Sequence, residues 1–200
     1  GYTGELGYEI YLSDASRHGV KLWDALLEAG EPHGLVPIGP SHIRRIEGGI
    51  LAHGCDMTID ENPYEVGYGY KWMVELEQDQ DFIGRETLRR IHDEGVTRKL
   101  VGVEIGGASL GAYSDGSMPD FFPVRAGGEI VGKVTSACHS PRLDKNIGFA
   151  MVSVEHGAEG VELEVERPEG TVEAVVVDRV FFKPEHAEER LAAPGSAAGA

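Results

Sequence analysis

The second half of the chain repeats one local pattern, a short run of apolar and β-branched residues followed by a turn. Such runs recur between Leu100 and Val177, and glycine or polar residues separate them. Regularly spaced short strands are typical of antiparallel sheets that close into a small barrel or pack as a sandwich. The predicted strands are 100–105, 122–126, 129–136, 147–154, 161–165 and 172–177. We therefore expect a small antiparallel β-domain that begins near residues 95–98.

The first half has a different pattern, in which helical and strand-like segments alternate. Apolar residues recur at helical spacing through residues 17–29, and Gly30 ends that helix. Trp23 falls on the apolar face of this helix, so we expect it to be a core residue. Further helices are predicted at 41–48 and 85–93, and strands at 8–12, 35–38 and 70–76. The chain is therefore predicted to have an α+β fold.

The first ten residues, Gly-Tyr-Thr-Gly-Glu-Leu-Gly-Tyr-Glu-Ile, combine glycines with tyrosine and glutamate side chains. A carboxylate in such a turn can accept paired hydrogen bonds from a planar N–H face, and a flanking tyrosine can cover that face. The alternative interpretation is a tight turn that leads into a strand. Because the chain starts inside this segment without an initiator methionine, we also expect it to be the C-terminal part of a longer protein.

The net charge of −16 and the pI of about 4.8 predict an acidic surface. Nucleic acids and membrane surfaces are themselves negatively charged, so non-specific binding to either is disfavoured. The two cysteines, Cys55 and Cys138, are far apart and follow no disulfide or zinc-site pattern. The sequence also contains no recognisable signal peptide and no apolar run that could cross a bilayer. Together with the acidic charge and the unpatterned cysteines, this predicts a cytoplasmic protein with no membrane or nucleic-acid partner.

Two groups of charged residues are candidate sites. Arg44 and Arg45 lie on a short predicted helix near apolar residues, so one of them is expected to face inward and to need an anion partner. That partner could be a ligand, or a carboxylate of the protein such as Glu47. An acidic cluster follows at Asp56, Asp60, Glu61 and Glu65. We expect this cluster to be a solvated face of the loop.

Metal ligation and cysteine catalysis are not indicated by the sequence. His53 and Cys55 lie close together, and Cys138 is followed by His139, but neither group has the spacing of a zinc site. Nothing in the sequence places a base near Cys138, which a nucleophilic cysteine would need. We therefore predict no metal site.

Several segments resemble the glycine cleavage T-protein family, the tetrahydrofolate-dependent aminomethyltransferases and their relatives. Residues 1–10 are similar to the folate-binding signature of that family, and Arg45-Ile46-Glu47-Gly48-Gly49 is similar to its arginine-leucine-glutamate-alanine-glycine helix. Further similar segments follow in the same order at residues 62–69, 81–88 and 132–148. The resemblance extends from Gly1 to about Pro184. Each segment alone is weak, but together and in register they are specific.

The resemblance implies a domain organisation. Residues 1–96 would be part of the folate-binding α/β region, and residues 97–184 would be the small antiparallel β-barrel domain of the family. Residues 185–200 are rich in alanine, glutamate, glycine and proline and are expected to form a disordered tail. In this family tetrahydrofolate lies in the hole of a ring of three domains.

The resemblance also implies roles for individual residues. Glu5 would grip the amino-pyrimidine edge of the pterin of tetrahydrofolate, Tyr2 would lie beside the ring, and Arg45 would orient substrate or folate. The catalytic aspartate of the family precedes the folate signature. No catalytic residue is therefore expected within this chain, and the chain alone is expected to be inactive.

Departures from the family pattern indicate a particular branch. The aminomethyltransferase of the glycine cleavage system carries an arginine-aspartate pair shortly before its arginine-leucine-glutamate, where this chain has Ser41 and His42. The segment 45–49, followed by residues 54–58 and 62–65, instead resembles the branch that contains dimethylsulfoniopropionate demethylase and the aryl-methyl-ether demethylases. We therefore expect transfer of a methyl group from a small-molecule sulfur or oxygen donor to tetrahydrofolate.

Three alternatives stay open. The first is the aminomethyltransferase of the glycine cleavage system, which uses an aminomethyl donor. The second is the folate-binding tail of an enzyme that oxidises dimethylglycine or sarcosine. The third is a non-catalytic folate-binding accessory protein of the iron–sulfur-assembly type. The further expected partner is the portion of the same protein that would precede Gly1.

Overall fold

A computed structural model of the chain describes residues 2–71, 73–111 and 122–183. Its α-helices are α1 (Ala15–Gly30), α2 (His42–Glu47) and α3 (Arg85–Glu94). Its strands are β1 (Arg98–Ile105), β2 (Pro123–Ala126), β3 (Glu129–Ser140), β4 (Lys145–Ser153), β5 (Glu162–Arg167) and β6 (Gly170–Val177). None of the described helices combines the length and the apolar character that crossing a membrane requires. The predicted disordered tail, 185–200, lies outside the described residues.

The strands form one closed antiparallel barrel in the order β1-β4-β3-β2-β5-β6, with β1 paired to both β4 and β6. The predicted antiparallel β-domain is therefore confirmed, and it is a barrel rather than a sandwich. Side chains alternate between the interior and the outside along β5, where Leu163 and Val165 are buried while Glu162, Glu164 and Glu166 are exposed. Fully or almost fully buried valines fill the interior at positions 103, 124, 134, 165 and 176.

The barrel wall formed by β3 and β4 is buried on both faces. In β4 every residue from Asn146 to Val152 is buried, although only alternate side chains can point into the barrel. The outward side chains Ile147 and Phe149 pack with Ile46 of α2 in a second apolar cluster. Each fully buried side chain of this size contributes about 1.5–3 kcal/mol, so the cluster holds α2 on the outside of the barrel.

The strands predicted in the first half of the chain are not formed. Residues 8–12, 35–38 and the described residues of 70–76 have irregular or turn conformations. A strand is stable only when its N–H and C=O groups pair with a neighbouring strand. Every multi-residue ladder among the described residues belongs to the barrel, so these apolar runs have no strand to pair with.

Helix α1 forms where it is predicted, but the predicted core position of Trp23 is wrong. No residue of α1 is buried, and Trp23 is 52% exposed. Val20 and Leu26 of the same helix are exposed as well. Helical spacing of apolar residues indicates that a helix has an apolar face. It does not show which part of the protein, if any, covers that face.

Candidate ligand site between the opening segment and the barrel

The opening segment, residues 2–7, lies against the C-terminal end of α2. Gly4 has a φ of +69°, a left-handed conformation that favours glycine. Gly48 follows the last residue of α2, and a Cβ added to it would lie 3.4 Å from both the Gly4 Cα and the Thr3 carbonyl oxygen. A Cβ added to Gly4 would lie 3.3 Å from the Gly48 Cα, so glycine at position 4 allows the two backbones to meet. Their contact brings Glu5 beside Arg44.

The Glu5 carboxylate is held by two guanidinium groups from different parts of the chain. Its Oε1 accepts a hydrogen bond from Arg44 Nη1 at 3.0 Å and lies 2.8 Å from Arg142 Nη1. Arg44 belongs to α2, whereas Arg142 belongs to the turn between β3 and β4. The Glu5 side chain is 28% exposed. The site therefore contains a carboxylate that two cations orient and that solvent still reaches.

Arg142 is fixed by residues of the barrel and of α2. Its guanidinium carbon lies 3.9 Å from the centre of the Phe182 ring, which is a close cation–π contact. Its Nε lies 3.8 Å from Glu47 Oε2, and Glu47 Oε1 accepts a hydrogen bond of 2.6 Å from Ser140 Oγ. The backbone N–H of Phe182 donates to the carbonyl oxygen of Glu47 at 2.9 Å. These contacts connect the Glu5 site to both α2 and the barrel.

Arg45, the neighbouring arginine of α2, points into the protein and is fully buried. Its Nη1 donates to Asp56 Oδ2 at 2.7 Å, its Nη2 to Ser136 Oγ at 2.7 Å and its Nε to His42 Nδ1 at 3.2 Å. The prediction of an inward arginine with an anion partner is confirmed, and that partner is Asp56 rather than Glu47. Each guanidinium nitrogen has a protein partner, so the structure leaves no exposed edge of Arg45 for the predicted contact with folate.

A register shift in β3 explains how the barrel binds Asp56. The pairing of β3 with β4 shifts between Val134 and Ser136, and such a bulge can turn consecutive side chains toward the same side. Thr135 Oγ1 and Ser136 Oγ both donate to Asp56 Oδ1, at 2.8 and 2.6 Å. The loop that follows α2 is thereby attached to the barrel wall next to Arg45.

Only part of the acidic cluster at residues 56–65 is exposed to solvent. Asp60 is exposed, but Asp56 and Glu65 are buried, so the predicted interpretation is wrong for these two residues. Glu65 Oε1 accepts a hydrogen bond of 2.8 Å from Arg98 Nε, and Glu61 Oε1 lies 3.2 Å from Arg98 Nη2. A carboxylate remains stable in the interior when a guanidinium compensates its charge, and overall charge cannot reveal such a pairing.

The cysteines are not part of the Glu5 site. No group of three or more His, Cys, Asp or Glu side chains that could hold a metal ion occurs in the described part of the chain. Cys138 lies buried in β3, where burial, with a smaller effect of Glu47, raises the pKa of its thiol to about 12. Burial also raises the pKa of Cys55. Both shifts favour the neutral thiol, which is a weak nucleophile.

A cavity of about 1010 Å³ opens elsewhere, at one end of the barrel. Its lining includes Arg125, His139 and Glu173 but no residue of the opening segment or of α2. The candidate residues Tyr2 and Glu5 instead lie on an open surface, where Tyr2 is 45% exposed. This cavity and the predicted ligand residues are thus in different places.

Sequence reasoning missed Arg142, Phe182 and Ser140. The turn that carries Arg142 is far from Glu5 along the chain, and the packing of α2 against the β3–β4 wall brings the two together. No periodicity or local motif predicts such a contact. The available signal was limited to an arginine in a turn, between Pro141 and Leu143, within an otherwise acidic chain.

Comparison with known proteins gives two domain matches in sequence order. Residues 1–78 match the GCVT N-terminal domain, and residues 98–183 match the glycine cleavage T-protein C-terminal barrel domain. The chain is 42% identical over 188 residues to an aminomethyltransferase from Symbiobacterium thermophilum and 38% identical over 185 residues to one from Bacillus mycoides. These alignments cover 93% and 92% of the chain but 47% and 48% of the relatives. The chain therefore spans about half the length of the curated relatives it matches.

A solved structure with a similar fold is the glycine cleavage system aminomethyltransferase T from Bartonella henselae. The superposition has a TM-score of 0.74 and covers 92% of this chain and 48% of that chain. Sequence identity is 24%, so the likeness concerns the fold. It supports the mixed α/β arrangement with an antiparallel barrel that was predicted from the sequence.

Proposed function

The chain belongs to the glycine cleavage T-protein family, and from that premise we propose that its function is the transfer of a one-carbon unit to tetrahydrofolate. The observation that carries the proposal is the Glu5 carboxylate, which Arg44 and Arg142 orient and which remains accessible from solvent. A fixed and accessible carboxylate is what recognition of a planar N–H edge requires.

The chemistry of this site fits a pterin. The amino-pyrimidine edge of tetrahydrofolate presents parallel N–H donors, and an ionised carboxylate offers about four lone-pair sites. The two arginines use two of these sites, both on Oε1, so acceptor capacity remains for the ligand. Tyr2, exposed in the same turn, offers an aromatic face that could cover the ring. We assign Glu5 the role of accepting hydrogen bonds from the amino-pyrimidine edge of the pterin, and Tyr2 the role of lying beside the ring.

We assign Arg45 a positioning role in place of direct contact with folate. Its buried guanidinium binds Asp56 and Ser136 and so fixes α2 against the barrel. Arg44, one residue earlier on the same helix, has a side chain that is 42% exposed and contacts Glu5. Arg44 is therefore the arginine of α2 that can meet a ligand held by Glu5.

Bound tetrahydrofolate would supply the nucleophilic nitrogen that accepts the one-carbon unit. The residues of this chain would bind and orient that acceptor. Orientation by itself can lower the barrier, because it converts a bimolecular step into an effectively unimolecular one. We assign no catalytic residue within this chain.

An aminomethyl group is the better supported of two candidate one-carbon units. Both relatives described above are named aminomethyltransferases, whereas no comparison supports the demethylase branch that residues 45–49, 54–58 and 62–65 resemble. In transfer of an aminomethyl carbon, the carbon loses its bonds to the donor atom and to its amino nitrogen and gains bonds to two nitrogens of tetrahydrofolate. The two protons of those folate N–H groups pass to the donor atom and to the amino group, which leaves as ammonia. Transfer of a methyl group breaks only the bond to sulfur or oxygen and releases no ammonia.

A methyl group from sulfur or oxygen is the second candidate, because the arginine-aspartate pair of the glycine cleavage enzyme is replaced here. Ser41 Oγ accepts a hydrogen bond from the Arg44 N–H at 3.2 Å and caps α2. His42 Nδ1 accepts from Arg45 Nε. Both side chains thus accept hydrogen bonds from residues of α2. Neither supplies the charges that an arginine-aspartate pair would present to a donor.

The binding proposal can be tested by isothermal titration calorimetry of tetrahydrofolate with the whole protein, in its wild-type form and as the Glu5→Ala and Glu9→Ala variants. Glu9 is the matched control, an exposed glutamate nearby whose carboxylate accepts a hydrogen bond from Tyr11. We expect Glu5→Ala to weaken binding by at least about tenfold, since hydrogen bonds to charged groups contribute about 1.5–3 kcal/mol. Glu9→Ala should bind like the wild type. Equal affinities of the wild type and Glu5→Ala would refute the role of Glu5.

The nature of the one-carbon unit can be tested by measuring ammonia. The whole protein is incubated with tetrahydrofolate and either an aminomethyl thioether or a methyl thioether donor. We expect ammonia and a folate one-carbon adduct from the aminomethyl donor. Methyl-tetrahydrofolate without ammonia, formed from the methyl donor alone, would establish the second candidate instead. A protein that produces neither adduct would refute one-carbon transfer.

A further inference from the structure

We propose that Arg142, in the turn between β3 and β4, is a positioning residue for Glu5, so that the barrel sets the orientation of the ligand-binding carboxylate. The inference rests on the proposed role of Glu5 in binding tetrahydrofolate. It adds a residue from the barrel to a site that otherwise consists of the opening segment and α2.

The two cations that contact Glu5 are not equivalent. Arg44 reaches Oε1 from α2, and its side chain is 42% exposed. Arg142 reaches the same oxygen at the shorter distance of 2.8 Å, and its side chain is 28% exposed. Arg142 also has additional partners in Phe182 and Glu47. Of the two arginines, Arg142 is therefore the one whose position the surrounding structure determines.

The Phe182 ring restricts the plane of the Arg142 guanidinium. The guanidinium carbon lies 3.9 Å above the ring, a distance at which a planar cation stacks on an aromatic face. A stacked guanidinium presents its N–H groups along its edge, and one of these groups, Nη1, meets Glu5. A lysine at position 142 would keep the positive charge but could not reproduce this planar arrangement.

Glu47 fixes the other end of Arg142. Glu47 Oε2 is buried without a hydrogen bond among the described residues, and Arg142 Nε at 3.8 Å compensates its charge. Ser140, two residues before Arg142, anchors Glu47 Oε1 at 2.6 Å. Arg142 thus contacts two carboxylates through different nitrogens of one guanidinium. Its Nε lies near Glu47, and its Nη1 lies near Glu5.

The consequence for the ligand follows from the shared oxygen. Both arginines contact Oε1, so rotation of the Glu5 carboxylate would break two charge-assisted contacts at once. The carboxylate is therefore held in one plane before a ligand arrives, and a ligand whose N–H groups lie in that plane loses less freedom on binding. Without Arg142, only the more exposed Arg44 would hold the carboxylate.

The test is calorimetric titration of tetrahydrofolate, and of the analogue with hydrogen in place of the pterin 2-amino group. The variants are Arg142→Gln, Arg142→Lys and the control Arg90→Gln, in which an exposed arginine of α3 loses its partner Glu94. We expect Arg142→Gln to weaken tetrahydrofolate binding by up to about fivefold, the upper end of the effect of losing one partly exposed ion pair. Arg142→Lys should restore part of the affinity, and Arg90→Gln should have no effect.

The analogue separates positioning from simple structural support. Because it lacks one of the N–H donors that face Glu5, its affinity should change little in Arg142→Gln. In a protein that already carries Glu5→Gln, Arg142→Gln should cause no further loss of affinity for tetrahydrofolate, since the two residues act through one contact. Thermal unfolding of every variant, followed by circular dichroism, shows whether it is folded at the temperature of titration.

The outcomes distinguish this inference from the proposed function. If the whole wild-type protein does not bind tetrahydrofolate, the proposed function fails and this inference fails with it. If Glu5→Ala loses affinity but Arg142→Gln binds as the wild type does, the proposed function stands and the positioning role is refuted. Equal losses for tetrahydrofolate and its analogue would also refute the positioning role and would indicate structural support only.

Discussion

Arg45 Nη1 and Asp56 Oδ2 lie 2.7 Å apart, and both side chains are fully buried. Asp56 also accepts hydrogen bonds from Thr135 and Ser136 of β3. The pair therefore joins α2, the loop that follows it and the barrel wall in one network. Because all of these groups are removed from water, the network is sensitive to the loss of a single member.

We predict that Asp56→Asn lowers the free energy of unfolding by about 3–5 kcal/mol, because it leaves the Arg45 charge buried without a counter-charge. Urea unfolding followed by circular dichroism would measure the change. Glu94→Gln is the control, since it breaks an exposed pair with Arg90 and should cost less than about 1 kcal/mol. Similar unfolding free energies for Asp56→Asn and the wild type would contradict the central role of the pair.

Gly4→Ala tests the contact between α2 and the opening segment. The φ of Gly4 is +69°, a conformation in which alanine is strained, and the new Cβ would lie 3.3 Å from the Gly48 Cα. We expect the opening segment to shift and tetrahydrofolate to bind more weakly, with a backbone cost on the order of 1–3 kcal/mol. Gly7→Ala is the control within the same segment, because its Cβ would meet no atom within 4 Å. Equal affinity losses in both variants would argue against the Gly4 contact.

Tyr2 is predicted to contribute its ring rather than its hydroxyl group. Tyr2→Ala should weaken tetrahydrofolate binding by roughly 2–10-fold, the effect of losing one aromatic contact of about 0.5–1.5 kcal/mol. Tyr2→Phe should keep the wild-type affinity. Tyr8→Ala removes another exposed tyrosine and should leave the affinity unchanged. Calorimetric titration measures all three, and a loss in Tyr2→Phe equal to that in Tyr2→Ala would assign the effect to the hydroxyl group.

The two thiols are predicted to differ in accessibility. Cys138 is fully buried and Cys55 is partly exposed. In the native chain at pH 8, a chromogenic disulfide reagent should label Cys55 slowly and Cys138 hardly at all, because both pKa values are raised. Both thiols should react in denaturant. Rapid labelling of a native Cys55→Ala variant would show that Cys138 is accessible after all.

Cys138 should also make stability depend on alkaline pH. Burial raises the pKa of its thiol from 9.0 to about 12 in the folded chain. Its stabilising contribution is therefore complete below about pH 9 and is lost as the pH rises toward 12, by about 1.4 kcal/mol per pH unit. The difference in unfolding free energy between the wild type and Cys138→Ala isolates this effect from tyrosine and lysine titration. A difference that stays constant from pH 9 to 11 would contradict the raised pKa.

The barrel could be predicted from the sequence because its side chains alternate between core and solvent. In β5 the buried residues Leu163 and Val165 lie between exposed glutamates, and this pattern has the period of a half-buried strand. Residues 8–12 have a similar local pattern but do not pair with another strand. Strand formation depends on a partner that the segment itself does not encode.

The sequence predicts the local part of the Glu5 site but not the contacts that distant residues make with it. Glycines and the carboxylate near residue 5 form a local pattern, and the adjacent arginines of α2 are visible as charges on a short helix. Which arginine faces inward depends on Asp56 and Ser136, and the contact from Arg142 depends on the packing of α2 against β3 and β4. Contacts between distant parts of the chain leave no periodic signal in the sequence.

Strand β3, buried without interruption from Val134 to Cys138, has a consequence for chimeric proteins. Val134 and Ala137 belong to the barrel core, whereas Ser136 and Cys138 face the side on which α2 packs. A barrel grafted from a relative would therefore bring half of the α2 interface with it. The two halves of this chain are not interchangeable modules, and a functional hybrid would need α2, its following loop and β3 from the same parent.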